Sequence, residues 1–170
     1  LIQSANTDLI QPAEPEELQE CLHVIHSAFG TVAKEFGLTK DNCATNGAFM
    51  PPERLQKDFD CGKQMFALHD GRIVGFMQLS KESEHSFELE KLAVLPEYRH
   101  KGYGSMLLDF AKEQAVKQCA DTITIGIIEE NTRLKNWYTK NNFVHTGSKK
   151  YAHLPFTVGF MEWKYKADHS

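Results

Sequence analysis

The spacing of hydrophobic residues changes period several times along this chain, and each change predicts an element. Leu9-Ile10 predicts the end of a short first strand, which Pro12 interrupts. Apolar residues then recur every three or four positions from Leu18 to Gly30, as in an amphipathic helix. A second short helix is expected over 31–36, closed by Gly37. The N-terminal part is therefore expected to be one strand followed by two helices.

The rest of the chain predicts strands interleaved with helices. Asp70-Gly71 is a two-residue hairpin signal between two apolar segments. Strands are expected over 64–69, 73–79, 87–95, 122–128, 143–151 and 157–165, and helices from Pro52, over about 104–120 and over 131–140, with a left-handed Asn142 after the last. The order is strand, helices, three strands, helix, strand, helix, two strands. This order predicts an α/β fold with mixed strand directions.

One long connection, residues 38–52, has no hydrophobic period and is rich in turn-forming residues. A connector of this length inside a compact domain is either functional or disordered. Two alternatives stay open at this point: the segment folds over a binding site, or it has no fixed structure.

Composition limits the class of protein. The 170 residues are 41% hydrophobic and 25% charged, which is typical of a soluble globular protein and predicts a single domain over 1–170. A net charge of −4 argues against a nucleic-acid partner, and the absence of an 18-residue apolar run argues against membrane insertion. The four cysteines form no Cys-x-x-Cys pair, which argues against a metal site or disulfide framework and favours a cytoplasmic location.

A basic turn with two glycines, 99–104, joins the strand over 87–95 to the following helix. Glycines let the backbone approach an anion, and the first N–H groups of a helix point toward it. Arg99 and Lys101 add positive charge. The turn therefore predicts a site for a phosphate or pyrophosphate, and the alternative is a solvated turn with two surface cations. It is neither a dinucleotide fingerprint nor a P-loop.

Two motifs resemble those of the GCN5-related N-acetyltransferase (GNAT) family. The first is Leu-x-Val-x-Pro followed by Arg-x-x-Gly-x-Gly, which spans 92–104. The second comprises Asn131, Leu134, Tyr138 and Phe143, with Asn142 where the family usually has glycine. The resemblance covers most of the chain. It implies a mixed, mainly antiparallel central sheet of about six to seven strands flanked by helices, with splayed central strands that form a cleft for coenzyme A.

The resemblance also implies that acetyl-CoA is the co-substrate and that no metal takes part. Backbone groups of the strand over 87–95 would pair with the pantetheine arm, and the amides of the basic turn would hold the pyrophosphate. The residues expected to bind acetyl-CoA are Leu92, Ala93, Val94, Arg99, His100, Lys101, Gly102, Tyr103, Gly104, Ser105 and Asn131.

Catalysis requires a base, because an alkyl ammonium with a pKa of about 10.4 cannot attack a thioester until it loses a proton. Glu88 and Glu90 are two residues apart and are expected to face one side of their strand, together with Leu92 and Val94. Either glutamate is a candidate base. The alternative is that one or both pair with a lysine or bind the charge of the substrate. The same alternation places Phe87, Leu89 and Ala93 on the opposite side, in the core.

Tyr138 is the candidate general acid for the departing thiolate, or else an aromatic residue that packs on the cofactor arm. The N–H of Val94 is a candidate oxyanion donor, and no Cys/His pairing suggests an acyl-enzyme. The expected activity is direct acetyl transfer to a small-molecule amine. The alternatives are a non-catalytic CoA-binding domain and a protein or peptide N-acetyltransferase. The last strands offer a surface for a homodimer, although no residue requires one.

Overall fold

The computed structural model describes residues 9–166, which form one seven-stranded sheet and four helices. The strands are β1 (Ile10–Pro12), β2 (Gln64–His69), β3 (Ile73–Lys81), β4 (Ser86–Val94), β5 (Thr122–Ile128), β6 (Val144–Lys150) and β7 (Thr157–Lys164). The helices are α1 (Leu18–Glu35), α2 (Pro52–Asp60), α3 (Tyr103–Lys117) and α4 (Thr132–Lys140). The predicted element order is confirmed, and most predicted bounds agree to within two residues.

Helix α1 differs from the prediction, because it continues through Gly30 without a break. A glycine inside a helix lowers its stability but does not end it. The buried residues Ala28 and Ala33, on either side of the glycine, anchor both halves of the helix. The expectation of two helices was therefore wrong: tertiary packing outweighs the local preference of one glycine.

The strand order β1-β2-β3-β4-β5-β7-β6 is antiparallel throughout except between β4 and β5, which run parallel. That parallel pairing is limited to the three residue pairs from Ser86↔Thr122 to Glu88↔Thr124. Beyond Glu88 the two strands have no paired residues, although β4 continues to Val94 and β5 to Ile128. The expected splay of the central strands is thus confirmed.

Different helices cover the two faces of the sheet. Gly75 of β3 faces α3, since a side chain there would lie 3.0 Å from Leu107 Cδ1. Gln78 of β3 faces the opposite side, where its Nε2 donates to Asp58 Oδ2 of α2 at 3.2 Å. Helix α1 packs with α2 on this second face, and α4 lies beside α3 on the first. The main core fills both layers around the sheet.

A β-bulge in β4 changes which side chains share a face. Leu79 of β3 pairs with Leu89, but the preceding Gln78 pairs with Lys91. Glu90 is therefore an extra residue with no partner on β3. Because side chains alternate with a period of two, one extra residue inverts the pattern of every residue beyond it.

Strand alternation alone predicts one shared face for Glu88 and Val94, and this prediction is wrong. Val94 pairs with Gly75 and so faces α3, whereas Glu88 pairs with Ser80 and faces the side of α2. Leu92 and Val94 were expected on the same face as Glu88 and Glu90, but they lie on the face opposite Glu88. Ala93 was expected on the same face as Phe87 and Leu89, but it lies on the face opposite them. The bulge is the physical reason in each case.

The long connection over 38–52 is folded in this structure and includes a short 3₁₀ turn, Gly47–Phe49. It forms a second apolar cluster with the C-terminal part of α1, the end of β5 and the segment between β6 and β7. The His26 ring Nε2 lies 2.7 Å from the carbonyl of Met50 and ties the connection to α1. This segment therefore lies at the end of β5, on the side where β4 and β5 diverge.

Over residues 9–166, every helix is too short or too polar to cross a membrane.

Candidate active site

The wedge between β4 and β5 is lined by backbone groups that have no strand partner. The Leu95 amide donates to the Val74 carbonyl of β3 at 2.9 Å. Because the backbone groups of a strand alternate in direction, Ala93 also faces β3, while Leu92 and Val94 face the wedge. The structure thus brings Leu92 and Val94 to the opening as expected, but it points the backbone of Ala93 away from it.

The turn at 99–104, which we call the anion turn, lies at the wide end of the wedge, after β4 and the short 3₁₀ turn Pro96–Tyr98. Its backbone conformation is that of an anion site. His100 and Gly102 both adopt left-handed conformations, with φ of 63° and 83°. Gly102 is the N-cap of α3, and no side chain caps that helix. The first N–H groups of α3 are therefore left without an intrahelical or side-chain acceptor. Backbone N–H groups in such a turn form a concavity for an anion.

The side chains of this turn are held by the protein. Arg99 Nη2 donates to the Ala28 carbonyl at 3.1 Å and to Thr31 Oγ1 at 3.0 Å, both on α1. Burial lowers the pKa of the Arg99 guanidinium. Lys101 Nζ lies 4.9 Å from the centroid of the Tyr98 ring. The Arg99 guanidinium is thus held by α1, and the Arg99 backbone amide donates to the Pro96 carbonyl at 3.3 Å.

Further along the turn, the Tyr103 hydroxyl donates to Asp70 in the β2–β3 hairpin. Gly104 lies against α4, because a Cβ there would be 3.3 Å from Trp137 Cζ2. Ser105 is half-buried in the first turn of α3. These contacts fix the orientation of the first turn of α3.

Glu88 occupies the apex of the wedge, since Glu88↔Thr124 is the last residue pair between β4 and β5. Partial burial raises the pKa of the Glu88 carboxyl, and the charges of Glu90 and Glu82 raise it further. Lys63 and Lys91 oppose these effects, without cancelling them. A carboxylate with a raised pKa is a better proton acceptor, as a general base requires.

Glu90 has different surroundings, because both of its carboxylate oxygens are engaged. Lys63 Nζ donates to Oε1 at 3.0 Å and to Oε2 at 3.1 Å. Gln78 Nε2 also donates to Oε2, at 2.5 Å. The arrangement matches the alternative in which one of the two glutamates pairs with a lysine.

Tyr138 of α4 is buried between aromatic rings, with centroids 4.9 Å from Trp137 and 5.2 Å from Phe143. Burial raises the pKa of its hydroxyl, which therefore stays protonated at neutral pH. Asn131 is the N-cap of α4, and its Oδ1 accepts from the Leu134 amide at 3.2 Å. The Asn131 Nδ2 group remains as a donor at the end of β5.

Four residues around Glu90 were missed by the sequence analysis: Asp58, Lys63, Gln78 and Lys91. The available signal was Gln78, the single amide in the apolar run of 73–79, because a polar residue on a buried strand must find a partner. No group of three or more His, Cys, Asp or Glu in the described part of the chain could hold a metal ion.

Comparison with known families decides how this geometry is interpreted. The model of the acetyltransferase (GNAT) family matches residues 38–143, which include β4, the anion turn and α4. The chain belongs to the GNAT family. The resemblance seen in the two sequence motifs is thereby confirmed, and the matched region contains every residue predicted to act in the site.

An uncharacterized N-acetyltransferase of Mycobacterium bovis is 32% identical to the chain over 85 residues, which cover 50% of this chain and 54% of the relative. The chain thus spans about half the length of that relative. Among solved GNAT structures, the ribosomal-protein-S18-alanine N-acetyltransferase of Escherichia coli has a TM-score of 0.73 at 15% identity, over 95% of this chain and 97% of that one.

The PaiA N-acetyltransferase of Thermoplasma acidophilum, solved in complex with coenzyme A, also has a TM-score of 0.73, at 18% identity, over 92% of this chain and 98% of that one. At these identities the two solved structures establish the GNAT fold for this chain.

Proposed function

We propose that this GNAT protein, as a single domain over 1–170, transfers an acetyl group from acetyl-CoA to a primary amine by direct attack in a ternary complex. One observation carries the proposal: Glu88 lies at the apex of the wedge between β4 and β5, and the anion turn lies beyond the wide end of the same wedge. The unpaired backbone of β4 thus leads from the candidate base Glu88 to the anion turn.

The residues of the wedge fit the parts of acetyl-CoA. The amides of 100–105 would hold the pyrophosphate, because they lie at the N-terminus of a 15-residue helix, whereas the Arg99 amide already donates to the Pro96 carbonyl at 3.3 Å. The backbone groups of Leu92 and the Val94 carbonyl would pair with the amide groups of the pantetheine arm, as an added strand does. Asn131 Nδ2 would donate to the pantetheine arm from the opposite side of the wedge.

The reaction requires two protons to leave the attacking nitrogen and one proton to reach the thiolate. Glu88 accepts the proton that the ammonium must lose before its nitrogen can attack. A C–N bond then forms as the C–S bond breaks, with the Val94 N–H donating to the carbonyl oxygen. The departing thiolate takes the hydroxyl proton of Tyr138, and the second proton that the attacking nitrogen loses returns to Tyr138, so that Glu88 carries the one proton released overall. Glu90 is less suited to act as the base, because Lys63 and Gln78 occupy its oxygens.

The test is the release of free CoA thiol from acetyl-CoA across a panel of polyamines, aminoglycosides, amino acids and short peptides. With an acceptor that reacts, Glu88→Gln should lower turnover by about 100-fold or more, since general-base catalysis contributes on that order. Glu84→Gln, a change at an exposed glutamate in the β3–β4 turn, is the matched control and should leave turnover unchanged.

CoA binding is measured alongside by calorimetry. Equal turnover of Glu88→Gln and the parent would contradict the assignment of the base. Turnover with peptides alone would favour a peptide N-acetyltransferase. Tight CoA binding without turnover on any amine would favour the non-catalytic CoA-binding domain.

A further inference from the structure

Five charged or amide side chains form a connected network beneath α2, outside the wedge. Lys63 Nζ bridges Glu90 and Asp58, at 3.0 Å from Glu90 Oε1 and 3.7 Å from Asp58 Oδ1. Gln78 bridges the same two carboxylates, donating from Nε2 to Asp58 at 3.2 Å and to Glu90 at 2.5 Å. Lys91 Nζ lies 3.9 Å from Asp58. Two carboxylates are thus held together by an ammonium and an amide.

The two carboxylates of the network allow only one orientation of the Gln78 side-chain amide. Gln78 is fully buried, and its Oε1 has no hydrogen-bond partner in the described part of the chain. Turning the amide over would place this oxygen against the carboxylates of Asp58 and Glu90, which repel it. Leaving a buried acceptor unsatisfied costs stability, and here that cost accompanies two donated hydrogen bonds to charged groups.

The network contacts β4 at its bulge. Glu90 is the extra residue of the bulge, and Lys91 follows it. Asp58 is contributed by α2, Lys63 by the turn before β2 and Gln78 by β3, so three elements hold the bulged segment from one side. The bulge determines that Glu88 faces the side of α2 while Leu92 and Val94 face α3. The network therefore acts on the geometry of the wedge through Glu90.

The carboxylates of the network favour the charged form of Lys63. Burial lowers the pKa of the Lys63 ammonium, but the hydrogen bond and charge of Glu90, with the charge of Asp58, raise it by more. Lys63 is therefore a cation at neutral pH. Burial lowers the pKa of Lys91, and the charges of Glu90 and Asp58 oppose this effect without cancelling it.

We infer that Glu90 is a positioning residue, which Lys63 and Gln78 hold so that it fixes the bulge of β4 and keeps a negative charge beside Glu88. This inference rests on the proposed function, in which Glu88 is the base. The charge of Glu90 opposes ionisation of Glu88, and Lys63 limits that effect from the far side of Glu90. The two members of one ion pair thus act on the base in opposite directions.

The other charged groups that act on Glu88 come from the turn after β3 and from β4 itself. Glu82 opposes its ionisation, and Lys91 favours it. Thr124, the partner of Glu88 on β5, donates to Glu82 Oε2 at 2.6 Å and carries no charge. Glu90 and Lys63 form a direct ion pair, so the two charges can be removed together without net change of charge.

The experiment is a titration of the Glu88 side-chain carboxyl by ¹³C NMR in the intact chain, with Glu88→Gln used to assign the signal. Glu90→Gln should move the midpoint to lower pH, because a negative neighbour is lost. Lys63→Met should move it to higher pH, because a positive neighbour is lost. The double variant should lie between the two, and Glu90→Asp, which keeps the charge, should stay near the parent.

Lys57→Met, on the exposed side of α2, is the matched control and should leave the midpoint unchanged. Loss of network stability alone would move both single variants in the same direction, and that outcome would overturn the inference, as would no movement in either. If Glu90→Gln does not fold, the inference is still tested by the Glu88 midpoints of two other variants. The midpoint of Lys63→Met should be higher than that of the parent, and the midpoint of Glu90→Asp should stay near it. The titration needs no acceptor, so failure of the proposed function would leave its result readable.

Discussion

At the scale of single residues, the clearest contrast is between two glutamates on one strand. Glu88 reaches solvent at the apex of the wedge, and the protein raises its pKa. Glu90 is bound by Lys63 and Gln78. The sequence shows two identical side chains two positions apart, and the fold gives each a different charge environment. The chemistry of the site therefore depends on neighbours that are distant in the sequence.

Tyr138→Phe tests the proposed acid. The Tyr138 side chain is buried as a whole, and its hydroxyl makes no hydrogen bond to another described residue, so removal of the hydroxyl should leave stability and CoA affinity nearly unchanged. Turnover should fall by about 100-fold, the lower range for loss of a proton donor. Steady-state kinetics with one acceptor and calorimetry with CoA measure the two effects. An unchanged rate would assign Tyr138 to packing with Trp137 and Phe143.

Gly102→Glu tests the anion turn. The substitution puts a carboxylate where the pyrophosphate is proposed to bind, so the rise in melting temperature caused by CoA should disappear. Gly62→Glu is the matched control, because Gly62 has the same φ of 83° and the same open space around its Cβ position. Backbone strain is therefore equal in the two variants. A CoA response retained by Gly102→Glu would remove the turn from the site.

At the scale of elements, β4 and α1 show where local sequence patterns are not sufficient to predict the structure. The periods of the sequence predicted every strand and helix of the site, because amphipathic spacing survives in most of them. They did not predict the bulge at Glu90, since its cause is a set of partners on α2, β2 and β3. They also placed a break at Gly30, where burial on both sides keeps α1 continuous.

Gly30→Ala tests the account of α1. Alanine is favoured over glycine inside a helix by about 0.5–1 kcal/mol, and no atom lies within 4 Å of the new Cβ. The free energy of unfolding in urea should rise by that amount. Gly47→Ala should have the opposite effect, because its Cβ would lie 2.9 Å from Phe29 Cγ. A loss of stability in Gly30→Ala would show that the glycine is needed for the helix to pack.

At the scale of the whole molecule, the family and the fold followed from two motifs and the order of elements. The acceptor did not, because it would contact loops whose partners come from all parts of the chain. The segment over 38–52 packs with α1, β5 and the segment before β7. No periodic pattern marks such a cluster. Candidate site residues on regular elements could be identified from the sequence, whereas the network around Glu90 needed the structure.

Within residues 9–166, the three-residue pairing of β4 with β5 gives the sheet four strand edges, whereas an ordinary open sheet has two. Strand edges with free N–H and C=O groups are sites where another chain can add and aggregate. The outer edges belong to β1 and β6, and the inner two face each other across the wedge. A strand from a neighbouring molecule cannot follow the inner edges, since the space narrows to nothing at Glu88 and Thr124. The wedge therefore admits only a narrow ligand between β4 and β5. Its shape also prevents the two inner strand edges from pairing with a strand of another molecule.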